Sequence, residues 1–80
     1  MKTIHIQYFA VLRELAGRSH ETVPTDAETA AQLYGELVER YGFSLGPDQI
    51  RVVVNDAFGE FTATLRDGDE VVFLPPVAGG

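Results

Sequence analysis

The side chains that usually carry catalysis are sparse in this chain, and their spacing suits no common active site. His5 and His20 are the only histidines, fifteen positions apart, and do not make the i, i+4 pair of a helical metal site. Ser19 and Ser44 are the only serines, and neither lies in a nucleophile elbow. The glycines at 17, 35, 42, 46, 59 and 68 form neither a dinucleotide fingerprint nor a phosphate loop. Cysteine is absent, which excludes a thiolate zinc site, a cysteine nucleophile and a disulfide scaffold. Asp67, Asp69 and Glu70 are too few for a calcium loop and read as a solvated turn. No metal or cofactor is expected on the chain itself.

The reactive group that remains is the carboxylate at the end of Phe73-Leu74-Pro75-Pro76-Val77-Ala78-Gly79-Gly80. Pro75 and Pro76 stiffen this segment, and no charged or bulky side chain follows them. Such a tail suits insertion into a partner's tunnel. Glycine allows close backbone approach with no Cβ clash at the reacting carbonyl. Adenylation would turn the inert carboxylate into an acyl-adenylate, and attack by a persulfide would lead to a thiocarboxylate. The alternative is a frayed end of small residues, where disorder usually concentrates.

A framework must hold that tail, and the hydrophobic pattern supplies one. Ile4, Ile6 and Tyr8 alternate with Thr3, His5 and Gln7, the period of a half-buried strand. Phe9 falls on the polar parity and is expected outside. Ala10 to Ala16 predicts a helix of about two turns that stops at Gly17. Glu21 to Val23 reads as a brief strand closed by Pro24. Thr25 and Glu28 have capping-box spacing, and Ala30, Leu33, Leu37, Val38 and Tyr41 recur at helical spacing up to a cap at Gly42. Gly35, inside that helix, costs about 1 kcal/mol against alanine, and close packing on a sheet would explain it.

Phe43 to Gln49 reads as a loop broken at Gly46-Pro47. Ile50 to Val54 is a β-branched strand, Asn55-Asp56 a turn, and Glu60 to Leu65 another extended stretch. After a tight turn at Arg66-Asp67-Gly68-Asp69, Val71-Val72-Phe73-Leu74 is apolar on both parities. It is expected as an interior strand covered on both faces. With the first and last strands at the sheet centre and the long helix across one face, the expected fold class is an α+β roll. Residues 1–80 read as one domain, with a functional tail at 75–80.

Composition narrows the function further. Apolar residues are 45% and charged residues 22% of 80, so low-hydrophobicity disorder is excluded. The longest apolar run, Val71 to Val77, is too short to span a membrane. No leader is recognisable at the start, and a cytoplasmic location is expected. A net charge of −6 argues against nucleic acid. That charge is uneven: residues 1–25 carry +1, residues 26–48 carry −4 and residues 49–80 carry −3. The acidity is either an ordinary solvated surface or a face for a basic partner.

Across nearly its whole length the chain resembles the small subunits of molybdopterin synthase, sulfur carriers with the ubiquitin-like β-grasp fold. The likeness is strongest at Tyr8-Phe9-Ala10-Val11-Leu12-Arg13-Glu14-Leu15, at Val54-Asn55, and at Asp67-Gly68-Asp69-Glu70-Val71 running into the tail. Residues 42–49 contribute nothing to it. The resemblance implies a mixed sheet of about five strands under one main helix. It implies that Gly80 is adenylated by a ubiquitin-activating-type adenylyltransferase using ATP and magnesium, then thiocarboxylated from a sulfur donor protein. Gly79, with Pro75, Pro76, Val77 and Ala78, would thread the partner's site. The charged carrier would then dock on the large subunit of molybdopterin synthase, two small subunits on a large-subunit dimer. There it would give sulfur to cyclic pyranopterin monophosphate, two transfers building the dithiolene. The chain alone would not be catalytic. Phe9, Phe58 and Leu74 match an exposed apolar patch that meets both partners. The diproline favours this branch. Carriers ending in Val-Ala-Gly-Gly also serve cysteine, thiolated tRNA or thiazole synthesis, and a ubiquitin-like protein modifier or a plain interaction module fits the same outline.

Overall fold

The alternation at the start of the chain does form a strand, β1 (Lys2–Tyr8), with Ile4, Ile6 and Tyr8 buried and their neighbours outward. The computed structural model describes residues 1–76. After β1 come α1 (Ala10–Ala16), β2 (His20–Thr25), α2 (Ala30–Tyr41), a 3-10 turn (Pro47–Gln49), β3 (Arg51–Val54), β4 (Ala57–Gly59) and β5 (Glu70–Leu74). The five strands make one mixed sheet in the order β2-β1-β5-β3-β4. β1 and β5 run parallel, in register from His5↔Glu70 to Tyr8↔Phe73; the other pairs are antiparallel. This is the expected roll, with first and last strands side by side. No helix among the described residues is long and apolar enough to cross a membrane.

Leu12 and Ala16 of α1 and Ala30, Leu33, Tyr34 and Leu37 of α2 share one core with Ile4, Ile6, Val23, Val52, Val71 and Phe73 of the inner sheet face. Tyr34 is the aromatic hub, with ring centroids 5.3 Å from Phe73, 5.8 Å from Phe61 and 6.0 Å from Phe43. Its hydroxyl donates to the Leu45 carbonyl at 2.7 Å, so the loop after α2 is tied to the core.

Several local expectations are corrected. β2 does not stop before Pro24 but runs through it to Thr25. It is an edge strand, so Pro24 loses no ladder bond that the sheet needs. The cap of α2 is Thr29 rather than Thr25: its hydroxyl accepts from the Gln32 N–H at 3.2 Å, and the Gln32 side chain reaches back to the Glu28 N–H at 2.7 Å. Thr25 is buried, donates to Glu36 at 2.8 Å and accepts from the Ala27 N–H at 3.0 Å. The extended stretch expected at Glu60 to Leu65 is irregular chain with a single bridge at Thr64, and the strand lies before it as the three-residue β4. That irregular chain caps α2: the N–H groups of Ala30 and Ala31 donate to the carbonyls of Ala63 (3.1 Å) and Phe61 (2.9 Å). Gly35 lies on the exposed face of α2, with nothing within 4 Å of where a Cβ would stand, so sheet packing does not explain it.

One buried carboxylate links the helices to the sheet. The Glu21 side chain is 8% exposed and accepts from Tyr8 OH at 2.5 Å and Tyr41 OH at 2.6 Å, with Arg18 and Arg40 beside it at 3.4 and 3.8 Å. Burial pushes its pKa up, but the two tyrosine hydrogen bonds and the two guanidinium charges outweigh burial and hold it below the ordinary value. Burial first, then the bond to Glu21, raises both tyrosines, which stay protonated donors.

Two outcomes are expected. Gly35→Ala should stabilise the fold by about 0.5–1 kcal/mol in denaturant unfolding. Glu21→Gln should destabilise it by about 1–3 kcal/mol at neutral pH. Because folding holds Glu21 more acidic, its charge stabilises at all pH above the unfolded value near 4.5. The contribution fades as pH falls through the lower folded value. The gap between wild type and Glu21→Gln, followed by thermal unfolding against pH, should therefore close in acid.

Candidate functional site

The central strand β5 leaves the sheet at Leu74, and the chain passes through half-buried Pro75 to exposed Pro76. Two grooves flank this exit. Phe9, Ala10, Val11 and Leu45 line one with Leu74, Pro75 and Pro76. Asp48, Gln49, Ile50, Arg51 and Phe58 line the other with the same three residues. The structure therefore places Phe9 and Phe58 on opposite sides of the tail root, with Leu74 shared between them. Val77, Ala78, Gly79 and Gly80 lie outside the described residues.

Local chemistry explains each placement. Phe9 follows buried Tyr8 with extended backbone (φ −130°, ψ 154°), so its side chain takes the outer parity, 39% exposed. Phe58 reaches the outer face because Asn55 and Asp56, with φ of 50° and 69°, fold β4 tightly back on β3. Opposed residues in a ladder share a face. His20, Gln7, Val72, Val53 and Phe58 are opposed pairwise across all five strands and form one row on the outer sheet face. Phe58 is 72% exposed at the end of that row.

The strand Val71–Leu74 is inside the sheet as expected, yet only one of its faces is fully covered. Val71 and Phe73 are buried, whereas Val72 and Leu74 remain partly exposed because both helices pack on the inner side. Sequence reasoning missed Arg51, Val53 and Val72 as members of this face, and Val11 and Leu45 beside the tail root. Strand parity signalled Val53 and Val72; only tertiary packing brings Leu45 and Val11 alongside. Val11 and Leu15 extend the apolar surface along α1, 39% and 42% exposed. Exposed and half-buried apolar side chains thus gather at one edge of the domain, around the tail root.

The charges of the outer face are few. Arg51 and Glu70 carry opposite signs there, while Asp26, Glu28, Glu36 and Glu39 stand exposed before and along α2. His5 lies 3.0 Å from the Thr22 hydroxyl and His20 lies 3.2 Å from that of Ser19. Among the described residues no group of three or more His, Cys, Asp or Glu could hold a metal ion. The arrangement gathers apolar side chains at the root of the C-terminal segment.

These features define a class: a β-grasp domain whose C-terminal segment leaves a central strand between two largely apolar grooves. The ThiS family model matches residues 6–80, and the chain belongs to that family. It is 35% identical over 80 residues to the molybdopterin synthase sulfur carrier subunit of Escherichia coli (strain K12), covering 96% of this chain and 99% of that one. The Drosophila erecta protein of the same name is 35% identical over 82 residues, covering 96% and 90%. Among solved structures, small archaeal modifier protein 1 of H. volcanii superposes with a TM-score of 0.81 at 25% identity, covering 96% and 100%.

Because Phe58 packs little against its own chain, Phe58→Lys should change unfolding free energy by less than about 0.5 kcal/mol. Leu74→Lys, on a central strand, should cost distinctly more. Chemical denaturation of the two variants checks this ordering.

Proposed function

We propose that the chain is a sulfur carrier and the small subunit of molybdopterin synthase, acting in molybdenum cofactor biosynthesis. One observation carries the reading: the central strand exits as a diproline-stiffened tail between two apolar grooves. The names of its relatives support it. The grooves dock the domain on its partners, and the slender tail delivers the terminus.

The chemistry then belongs to Gly80 and the partners. In a ubiquitin-activating-type adenylyltransferase, the Gly80 carboxylate attacks the α-phosphorus of ATP, and pyrophosphate leaves, with magnesium on the phosphates. A persulfide on a sulfur donor protein attacks the acyl carbon and AMP leaves. A thiol then cleaves the S–S bond of the resulting acyl disulfide, leaving a thiocarboxylate at Gly80 and a disulfide on the donor side. On the large subunit the thiocarboxylate gives its sulfur to cyclic pyranopterin monophosphate, and water restores the carboxylate. Two such transfers build the dithiolene in a heterotetramer. Gly79 keeps the approach to the reacting carbonyl free of side chain.

The likeness to a small archaeal modifier protein favours a second reading, in which a lysine amine attacks the adenylate and Gly80 ends in an isopeptide bond. Intact-mass measurement after incubation with activating enzyme, ATP and a sulfur donor separates the two. Exchange of one oxygen for one sulfur is expected; unchanged carboxylate overturns the carrier reading, and conjugates to other proteins favour the modifier. Reconstitution with the large subunit and the pterin precursor should give the dithiolene, and its failure would assign the carrier to another product such as cysteine, thiolated tRNA or thiazole. Gly80→Ala should abolish transfer with less than about 0.5 kcal/mol change in stability.

A further inference from the structure

Six described residues have positive φ: Ala10, Gly17, Gly42, Asn55, Asp56 and Gly68. Five are glycine, asparagine or aspartate, the types that enter the left-handed region at least cost. Each of the five closes a helix or makes a turn. Gly17 and Gly42 cap α1 and α2, Asn55-Asp56 turn β3 into β4, and Gly68 belongs to the turn before β5. Ala10, at φ 51°, is the exception. It stands at the junction of β1 and α1, where an L-residue costs about 1–2 kcal/mol that glycine would relieve.

The surroundings show what the strained alanine does. Tyr8 and Leu12 on either side are buried, 1% and 0% exposed, whereas Phe9 between them is turned outward. The Tyr8 N–H donates to the Ser19 carbonyl at 2.8 Å, which anchors the strand side. The Leu12 and Arg13 N–H groups share the Phe9 carbonyl at 3.1 and 3.4 Å, which anchors the helix side. Residue 10 alone must absorb the change of direction between two fixed ends. A Cβ there removes most of the backbone alternatives that glycine would have. Ala10 also lines the same groove as Phe9, Leu74 and Pro75.

We propose that Ala10 is a positioning residue for partner docking: Phe9 ψ and Ala10 φ flank one peptide plane, so the left-handed backbone of residue 10 keeps Phe9 in the outward position that strand parity gives it, and the groove is formed before a partner arrives. The inference rests on reading that groove as a docking surface. The gain is pre-organisation, which lowers the ordering cost of association. Ala10→Gly relaxes the strain and frees Phe9 together.

The test measures binding of the full chain to the large subunit of molybdopterin synthase by calorimetry, with thermal unfolding alongside. Ala10→Gly should keep or raise the unfolding temperature yet weaken binding about two- to five-fold. D-alanine at position 10, introduced by chemical synthesis, prefers positive φ and should restore wild-type binding. In a Phe9→Ala background, Ala10→Gly should cause no further loss. Wild-type binding by Ala10→Gly overturns the proposal, as does a loss that persists without the Phe9 ring. If Phe9→Ala itself binds like wild type, the docking-surface reading falls and the positioning role falls with it.

Discussion

The parallel pairing of β1 with β5 is the constraint on which the rest of the molecule depends. Parallel strands end at the same side of a sheet, so the chain leaving Tyr8 and the chain leaving Phe73 emerge next to each other. That brings the β1–α1 junction, with Phe9, alongside the root of the tail. An antiparallel pairing would put the tail beside Lys2, at the other end of β1, about 20 Å away at strand rise. Everything between the two strands is a long connection that must return β5 to the centre of the sheet. β3 and β4 complete the sheet on the far side of β5 and carry Phe58 to the second groove.

The two sheet faces then divide the labour. The inner face takes both helices and nearly all of the large buried side chains, with Tyr34 at the aromatic centre. The same residue fixes Leu45 through its hydroxyl, so the rigidity of the core reaches the rim of the groove beside the tail root. Glu21 makes a comparable link at the C-terminal end of α2, joining Tyr8, the last residue of β1, to Tyr41, the last residue of the helix. The outer face carries half-buried Val53, Val72 and Leu74 beside exposed Phe58. Asp26, Glu28, Glu36 and Glu39 stand before and along α2, on the other side of the sheet.

Much of this was legible in the residues. Strict alternation marked β1, and the apolar run at 71–74 marked an interior strand, because side-chain parity is a local property of extended chain. Helix ends at Gly17 and Gly42 were readable because left-handed caps favour glycine. Phe9 was placed outside by parity alone, and the structure agrees. The start of α2 was not readable. Thr25 and Thr29 both precede plausible first turns, and the choice falls to Ala63 and Phe61, whose carbonyls meet the first helical N–H groups from 33 and 30 positions away. β4 was misplaced because Ala57-Phe58-Gly59 has little strand character of its own and pairs through a turn that leaves Phe58 in solvent.

The sequence by itself determined which reactive side chains are at hand: no cysteine, no histidine or serine spacing of a common active site, and a run from Pro75-Pro76 to Gly79-Gly80. It also determined most element types, since periodicity and turn residues act over a few positions. Only the tertiary structure decided which apolar side chains became surface. Val53, Val72, Leu45 and Val11 look like core residues in a list of hydrophobics. Val53 and Val72 line the outer face because both helices pack on the same side of the sheet, and a sheet with one covered face must leave its other parity to solvent or to a partner; Val11 and Leu45, on the helix side, reach the surface only at the groove beside the tail root. Tertiary packing likewise set Phe9 and Phe58 on opposite flanks of the tail, because strand order, unlike strand existence, is fixed by pairings between distant segments.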